Sequence, residues 1–214
     1  MILVERDYLI MREVERFRFV LSRQIKLLAG FEGQRACDRR TKLLIEGGYI
    51  DRQKVLYGVP SVYYLTHKGK MLIGANKRQD KIRVEKIGHD IAVLDTVIYF
   101  IKAYGVNLEN VMTEKQLYSK SGFGTRKHFP DFIFTDKSEK DKDCICCVEL
   151  ELSAKAKAKL EKNVEENYLE YETQYWIVPK AGVKIKQILN DLTEKYTNIK
   201  ILDLEGVEEY VRKF

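Results

Sequence analysis

Proline is scarce in this chain, and long apolar runs are missing. Only three prolines occur in 214 residues, and no Ser/Gly-rich or repeated segment is present, which argues against long disordered regions. No apolar run approaches the roughly 18 residues that are needed to span a bilayer. The first residues include Glu5 and Asp7 and lack the layout of a signal peptide. We therefore expect a folded cytoplasmic protein with no membrane partner.

Cysteine is also rare, and its placement argues against disulfides and zinc sites. Without an export signal, Cys37, Cys144, Cys146 and Cys147 are expected to stay reduced. The last three offer at most one Cys-x2-Cys spacing, whereas structural zinc sites use paired knuckles. On a strand, Cys144 and Cys146 point one way and Cys147 the other. We interpret them as small hydrophobic side chains of a buried strand.

Positive charge is concentrated at the start of the chain. Residues 1–80 hold 16 Lys and Arg against 9 Asp and Glu, whereas the remainder holds 22 against 23. A basic first third beside a near-neutral remainder indicates two domains, the first facing an anionic partner such as nucleic acid. The predicted division is a first domain over 1–74, a polar linker over 75–84 and a second domain over 85–214.

The first domain has the pattern of a winged helix-turn-helix. Apolar spacing predicts helices over 5–19, 23–28 and 33–46, with Ser22 as the N-cap of the second. A two-stranded wing is predicted to follow, from Tyr49 to Arg52 and from Ser61 to Leu65. Thr66 is predicted to cap a short closing helix.

Basic side chains share one face of the third predicted helix. Arg35, Asp38, Arg39 and Lys42 fall at i, i+3, i+4 and i+7, opposite the apolar positions. This is the layout of a recognition helix that enters a major groove. We predict binding of double-stranded DNA by Arg35, Arg39, Lys42, Arg52 and Lys54. The alternative is a basic helical domain that binds protein, in which these side chains are only solvated.

The second domain alternates helices and strands. Periodicity predicts a long helix over 85–104, then strands over 111–118, 132–135 and 144–152, a helix over 154–172 and a strand over 173–178. A helix, a strand and a helix close the chain. Residues 119–127 are expected to form a basic, glycine-containing loop that lets backbone approach a phosphate, although flexibility explains it equally well.

Three carboxylates are placed to meet on the predicted sheet. Glu149 and Glu151 share one face of their strand because side chains alternate, and Asp131 begins the neighbouring strand. Like charges held together raise one another's pKa, and a hard divalent cation relieves that cost through carboxylate ligands. The alternative is that Glu149 and Glu151 lie on the solvated face of an antiparallel hairpin.

Other charged residues flank these carboxylates in the sequence. Lys155, Lys157 and Lys159 lie in the first turns of the following predicted helix. A phosphate-binding role and an ordinary solvated helix face both fit this pattern. His89, early in the long helix, is a candidate neighbour of the site or a structural brace for the helix.

Pro130-Asp131 followed by Glu149-Leu150-Glu151 resembles the metal-binding signature of the PD-(D/E)XK nuclease superfamily. The resemblance implies a restriction-endonuclease-like αβββαβ domain with a central mixed sheet. In it, Asp131 and Glu149 would hold Mg²⁺ or Mn²⁺. The superfamily places a lysine where this chain has Glu151, and some restriction endonucleases resemble this chain in using Glu there. If the protein is catalytic, the candidate residues are Asp131, Glu149, Glu151 and Lys155, and Lys157 and His89 are candidates to lie next to them.

Most of the chain resembles a narrower family, the replication-relaxation proteins of plasmids and integrative elements. The matching features are Leu-Thr-x-x-Gly at 65–69, His89-Asp90 in the long helix, Pro130-Asp131, and Glu149-Leu150-Glu151. The resemblance implies a winged helix joined to a nuclease-like domain and a role in replication, maintenance or transfer of mobile DNA. Winged-helix proteins often dimerise, so a homodimer is one candidate assembly, and other replication or transfer proteins are candidate partners.

These observations predict an α/β (α+β) protein of a mobile element that binds DNA and carries a nuclease-like domain, for which metal-dependent DNA cleavage is one candidate activity. The alternative is a non-catalytic winged-helix regulator of transcription or replication with a degenerate nuclease fold and no cofactor. A protein-interaction scaffold is a third class, which predicts no appreciable DNA affinity at low salt.

Overall fold

The computed structural model describes residues 2–55, 57–58, 60–75, 82–121, 128–136, 144–153 and 156–214. These residues form two compact units, Met1–Leu94 and Asp95–Phe214. The division falls within the long helix Ile87–Tyr104. Residues 76–81, which make up most of the predicted linker, lie outside the described ranges.

The first unit is a winged helix. Its elements are α1 (Glu5–Arg16), β1 (Val20–Leu21), α2 (Ser22–Leu28), α3 (Gln34–Glu46), β2 (Ile50–Gln53), β3 (Val62–Leu65) and α4 (His67–Leu72). Strand β3 lies between β1 and β2 and is antiparallel to both. The hairpin of β2 and β3 follows α3 directly, so the predicted wing is confirmed. Thr66 accepts a hydrogen bond from the Gly69 N–H at 3.1 Å, which confirms it as the cap of α4.

Helix α3 is held by one apolar face and one buried ion pair. Its buried residues, Cys37, Thr41 and Leu44, follow the helical repeat that the sequence predicts. Arg40 donates from Nε to Oδ1 of Asp7 at 2.6 Å, and Asp7 is fully buried on α1. Charge-assisted hydrogen bonds of this kind are stronger than neutral ones. This pair therefore fixes α3 against α1.

Two predicted helix ends were wrong. Helix α1 stops at Arg16 rather than residue 19, because Arg18 adopts a left-handed conformation (φ 68°) that an α-helix cannot continue. Ser22 is the first residue of α2, and Leu21 takes the cap position. The Ser22 hydroxyl instead donates to Oδ1 of Asp38 at 2.6 Å.

The second unit surrounds a mixed sheet. Its elements are the rest of α5 (Ile87–Tyr104), then β4 (Val111–Thr113), α6 (Glu114–Lys120), β5 (Phe132–Asp136), β6 (Cys144–Leu150), α7 (Lys157–Glu170), β7 (Thr173–Val178), α8 (Val183–Thr193), β8 (Ile199–Asp203) and α9 (Leu204–Arg212). The strand order is β4-β5-β6-β7-β8. Strands β4, β5 and β6 are antiparallel, whereas β6, β7 and β8 are parallel. The predicted α/β class and the mixed sheet are confirmed.

The two faces of this sheet have different cores. On one face, the Phe100 ring from α5 lies 4.9 Å from the rings of Phe134 and Tyr175, measured between centroids. On the other face, Trp176 packs in a cluster with Leu160 and Val164 of α7. Because side chains alternate along a strand, Glu149, which pairs in register with Trp176, belongs to the face that α7 covers.

The segment predicted as a strand over 111–118 is a short strand followed by a helix. The Thr113 N–H donates to Oε1 of Gln116 at 3.0 Å, and this capping box begins α6. The Glu114 N–H donates to the Asp131 carbonyl oxygen at 2.8 Å, which ends the β4 ladder at the start of α6. Residues 122–127 of the predicted basic loop lie outside the described ranges.

No helix among the described residues is long and apolar enough to cross a membrane. All four cysteines are free thiols, and Cys146 and Cys147 are buried. The Sγ atoms of Cys144 and Cys146 lie 3.9 Å apart, which agrees with the predicted shared direction of these two side chains.

Glu13 makes the stability of the first unit depend on pH. Its side chain lies in the core beside α2, and burial raises its pKa to about 7, although Arg16, with Nη1 3.2 Å from Oε2, lowers it. The folded state therefore binds a proton that the unfolded chain releases near pH 4.5. Stability is lost as pH rises from that value through 7.

We predict that Glu13→Gln stabilises the first unit at pH 8 by about 1–3 kcal/mol and has little effect at pH 4.5. Hydrogen exchange of core amides such as that of Val14 measures this unit separately. Glu32→Gln, at an exposed position, is the matched control and should show no such pH-dependent difference. A stabilisation of equal size at both pH values would contradict the assignment.

Candidate functional site

The candidate site is built around Glu149, near the end of β6. Its side chain is 5% exposed, since α7 covers this face of the sheet. His128 lies just before β5, and its Nε2 atom is 2.5 Å from Oε1 of Glu149. Asn167 of α7 donates from Nδ2 to the same oxygen at 3.1 Å. Both of these hydrogen bonds end on Oε1, and Oε2 takes part in neither.

The environment of Glu149 raises the pKa of its carboxyl group. Burial is the largest cause, because it disfavours the charged form, and the nearby Asp131 carboxylate raises the pKa further. The hydrogen bonds from His128 and Asn167 act in the opposite direction. Glu149 is therefore a buried acid whose negative charge needs a donor or a cation beside it.

Asp131 is fixed to the end of β6 and to the start of α6. Its Oδ2 accepts the Leu150 N–H at 2.8 Å, and its carbonyl oxygen accepts the Glu114 N–H. These two contacts place the carboxylate beside Glu149. Because β5 and β6 are antiparallel and Phe132 pairs with Val148, Asp131 lies opposite Glu149. The Pro130-Asp131 segment is thus held by the backbone of two different elements.

Glu151 is buried on the same face as Glu149. It is 2% exposed, and its N–H donates to the Ile177 carbonyl oxygen at 3.0 Å, which extends the ladder of β6 with β7. The alternative of a solvated hairpin face is therefore wrong. The physical reason is the parallel crossover: the helix that joins β6 to β7 must pack on one face, and it packs on this one.

The donor set of this site suits a hard cation. Asp131 and Glu149 offer carboxylate oxygens, the ligands that Mg²⁺ prefers, and a divalent ion would offset the burial of the Glu149 charge. Within the described ranges, no group of three or more His, Cys, Asp or Glu side chains is arranged to hold a metal ion. An ion held by two carboxylates would complete its shell with water, as Mg²⁺ commonly does.

The remaining predicted site residues are Lys155, Lys157 and His89. Lys155 is outside the described residues. Lys157 begins α7, is exposed, and has its Nζ 3.7 Å from Oε1 of Glu161 on the same helix. His89 belongs to the first unit, where its Nδ1 lies 3.6 Å from Oδ1 of Asp90.

His128 and Asn167 were not predicted as site residues. Asn167 carries a sequence signal, because it is a polar residue on the buried stripe of α7 that Leu160 and Val164 define. Asn163, one turn earlier, shares this property. His128 precedes the motif strand in an irregular segment, so no periodicity connects it with Glu149.

The candidate nucleic-acid interface lies on the exposed face of α3. Arg35, Arg39 and Lys42 are exposed, as the sequence predicts for a recognition helix. Lys42 has its Nζ 3.8 Å from Oε1 of Glu46, an exposed pair of small energetic weight. The Asp38 carboxylate on this face accepts a hydrogen bond from Gln34 at 2.7 Å. DNA binding by these residues stays a prediction.

The wing adds exposed basic and aromatic groups to the first unit. Arg52 and Lys54 are exposed at the end of β2 and just beyond it. The Lys54 Nζ lies 5.5 Å from the centre of the Tyr57 ring, and Tyr57 is 97% exposed. Such a pair presents a positive charge and a flat ring to solvent on a short hairpin.

Fold and site together define a winged-helix protein with an α/β unit that carries buried carboxylates. The family model described as replication-relaxation matches residues 11–184, and the chain belongs to that family. Comparison with curated proteins and with solved structures gives no match. Family membership associates the protein with replication, in keeping with the mobile elements that the sequence resemblance implies.

We predict that Asn167→Leu lowers the free energy of unfolding of the second unit by about 1–3 kcal/mol, because it removes a donor from a buried carboxylate. In a Glu149→Gln background, Asn167→Leu should lower the free energy of unfolding by at least about 0.5 kcal/mol less, because a neutral side chain at position 149 loses less when the Asn167 donor is removed. Urea titration followed by fluorescence of Trp176, the single tryptophan, measures this unit.

Asn190→Leu, at an exposed position of α8, is the control for this double-mutant cycle and should change stability by less than about 0.5 kcal/mol. Equal losses from Asn167→Leu in both backgrounds would mean that Asn167 and Glu149 are not energetically coupled.

Proposed function

We propose that the protein binds double-stranded DNA of a mobile element through its winged helix and cleaves DNA in its second unit with Mg²⁺ or Mn²⁺. Its role would be in replication, maintenance or transfer of that element. The observation that carries this proposal is the burial of Glu149 beside Asp131 on the covered face of the sheet. Burial of one carboxylate beside a second carboxylate is costly, and such clusters are characteristic of functional sites.

Asp131 and Glu149 would hold the ion. When bound, the ion supplies polarisation of the scissile phosphate and a lower pKa for its coordinated water. His128 and Asn167 hold Oε1 of Glu149 in one orientation. Glu151, which stands at the lysine position of the nuclease signature, would orient the attacking water, and Lys155 or Lys157 would place positive charge near the phosphate.

The second candidate function is a non-catalytic regulator of replication or transcription. It is favoured by Glu151, because an acidic residue at this position adds negative charge where the related nucleases carry a lysine. In that case the second unit would contribute DNA binding or dimerisation, and no metal would be needed.

The catalytic proposal is tested by nicking of supercoiled plasmid with Mg²⁺ or Mn²⁺. We expect wild-type nicking to depend on the metal, and Asp131→Ala and Glu149→Gln each to reduce its rate by about 100-fold or more. Glu165→Gln, an exposed acid on α7, is the matched control and should retain the wild-type rate. Absence of metal-dependent nicking, with DNA binding intact, would favour the regulator.

The DNA-binding proposal is tested by the salt dependence of duplex affinity. Arg39→Ala and Lys42→Ala should each weaken binding, and each should reduce the slope of log K against log salt by about one unit, because each removes one phosphate contact. Lys184→Ala, an exposed base on α8, should leave the slope unchanged. If wild type has no appreciable duplex affinity at low salt, the protein is a scaffold and the DNA-binding proposal fails.

A further inference from the structure

Asn163 is a buried amide with an unused donor. It is 4% exposed on the covered face of α7, and its Nδ2 forms no hydrogen bond within the part of the chain that the structure describes. Buried polar groups without a partner are rare in folded proteins, and each needs an explanation. An apolar residue would fill this position at lower cost, as Leu160 does one turn earlier.

The direction of α7 brings Asn163 to the level of Glu151. Strands β6 and β7 are parallel, so the helix that connects them runs antiparallel to both. The hydrogen bond from Asn167 fixes that helix at the level of Glu149. Asn163 lies one turn back, about 6 Å along the helix. Glu151 lies two residues onward, also about 6 to 7 Å along the strand, on the same face.

We propose that Asn163 is a positioning residue that holds a water molecule beside Glu151. The Nδ2–H group needs an acceptor, and the oxygen of a water molecule supplies one. The same water molecule can donate a hydrogen bond to a carboxylate. Internal waters bind where a few buried polar groups converge in this way. Both residues are almost completely buried, as the groups that bind internal waters are.

The use of this water rests on the proposed cleavage function. During hydrolysis, its oxygen forms a bond to phosphorus while the bond from phosphorus to the leaving sugar oxygen breaks. The proton released from the water passes to the Glu151 carboxylate, and solvent protonates the leaving oxygen. The Asn163 N–H group orients the water oxygen and takes no part in proton transfer.

The test combines a crystal structure of the full chain with kinetics of Asn163→Leu. We expect an ordered water within hydrogen-bond distance of both Nδ2 of Asn163 and the Glu151 carboxylate. Asn163→Leu should lower kcat for plasmid nicking by about 10-fold or more, with KM for DNA unchanged. Its unfolding midpoint should stay the same or rise, because a donor without a partner is replaced by an apolar side chain of similar size.

Asn198→Leu is the matched control, since Asn198 has its amide satisfied by Gln174 and by the Tyr171 carbonyl oxygen. It should lower the unfolding midpoint. The inference is overturned if Nδ2 of Asn163 bonds to a protein group in the crystal, or if Asn163→Leu nicks DNA at the wild-type kcat. If the wild-type protein does not nick DNA, the proposed function and the catalytic use of the water are both overturned. The crystal structure decides separately whether the water is bound.

Discussion

The carboxylate of Glu149, kept away from water, is the constraint on which the second unit depends. A buried charge of this kind is stable only with donors or a cation close to it. The donors come from elements far apart in the chain: His128 precedes β5, and Asn167 lies on α7. Any shift of α7 along the sheet would separate Asn167 from Glu149 and would expose the face that buries Trp176. The site and the core are therefore stabilised by the same packing.

Side chains of β6 alternate between the two faces of the sheet, and the two faces differ in polarity. Val148 and Leu150 point to the face that holds the Phe100 aromatic cluster, whereas Glu149 and Glu151 point to the face under α7. The strand and the residue that follows it thus supply apolar side chains to one core and two buried acids to the other face. Its parallel pairing with β7 requires a crossover helix, and that helix turns a solvent-facing strand surface into an enclosed one.

Sequence periodicity predicts most of the order of elements and places Glu149 and Glu151 on one face of their strand. It also predicts that Arg35, Arg39 and Lys42 are exposed on α3. Burial of the two acids does not follow from it, because burial depends on which face the crossover helix covers. The contact of His128 with Glu149 joins residues 21 positions apart through an irregular segment, so no local pattern encodes it. Helix α6 was mistaken for strand because β-branched and apolar residues precede a capping box whose hydrogen bond outweighs their preference.

Glu151 stands where the nuclease signature that the sequence resembles has a lysine, and this difference changes the charge balance of the site. A lysine there would neutralise one acid directly, whereas Glu151 adds a third negative group to the face that already carries Asp131 and Glu149. The hydrogen bond between His128 and Glu149 offsets part of this charge, and a divalent cation would offset more. The hydrogen bond stabilises the fold without a metal, because the imidazole already lies 2.5 Å from Oε1. A cation would leave that contact in place, because Oε2 of Glu149 is engaged by neither His128 nor Asn167. The same three acids can thus be tolerated in a stable fold and remain suited to metal-dependent chemistry.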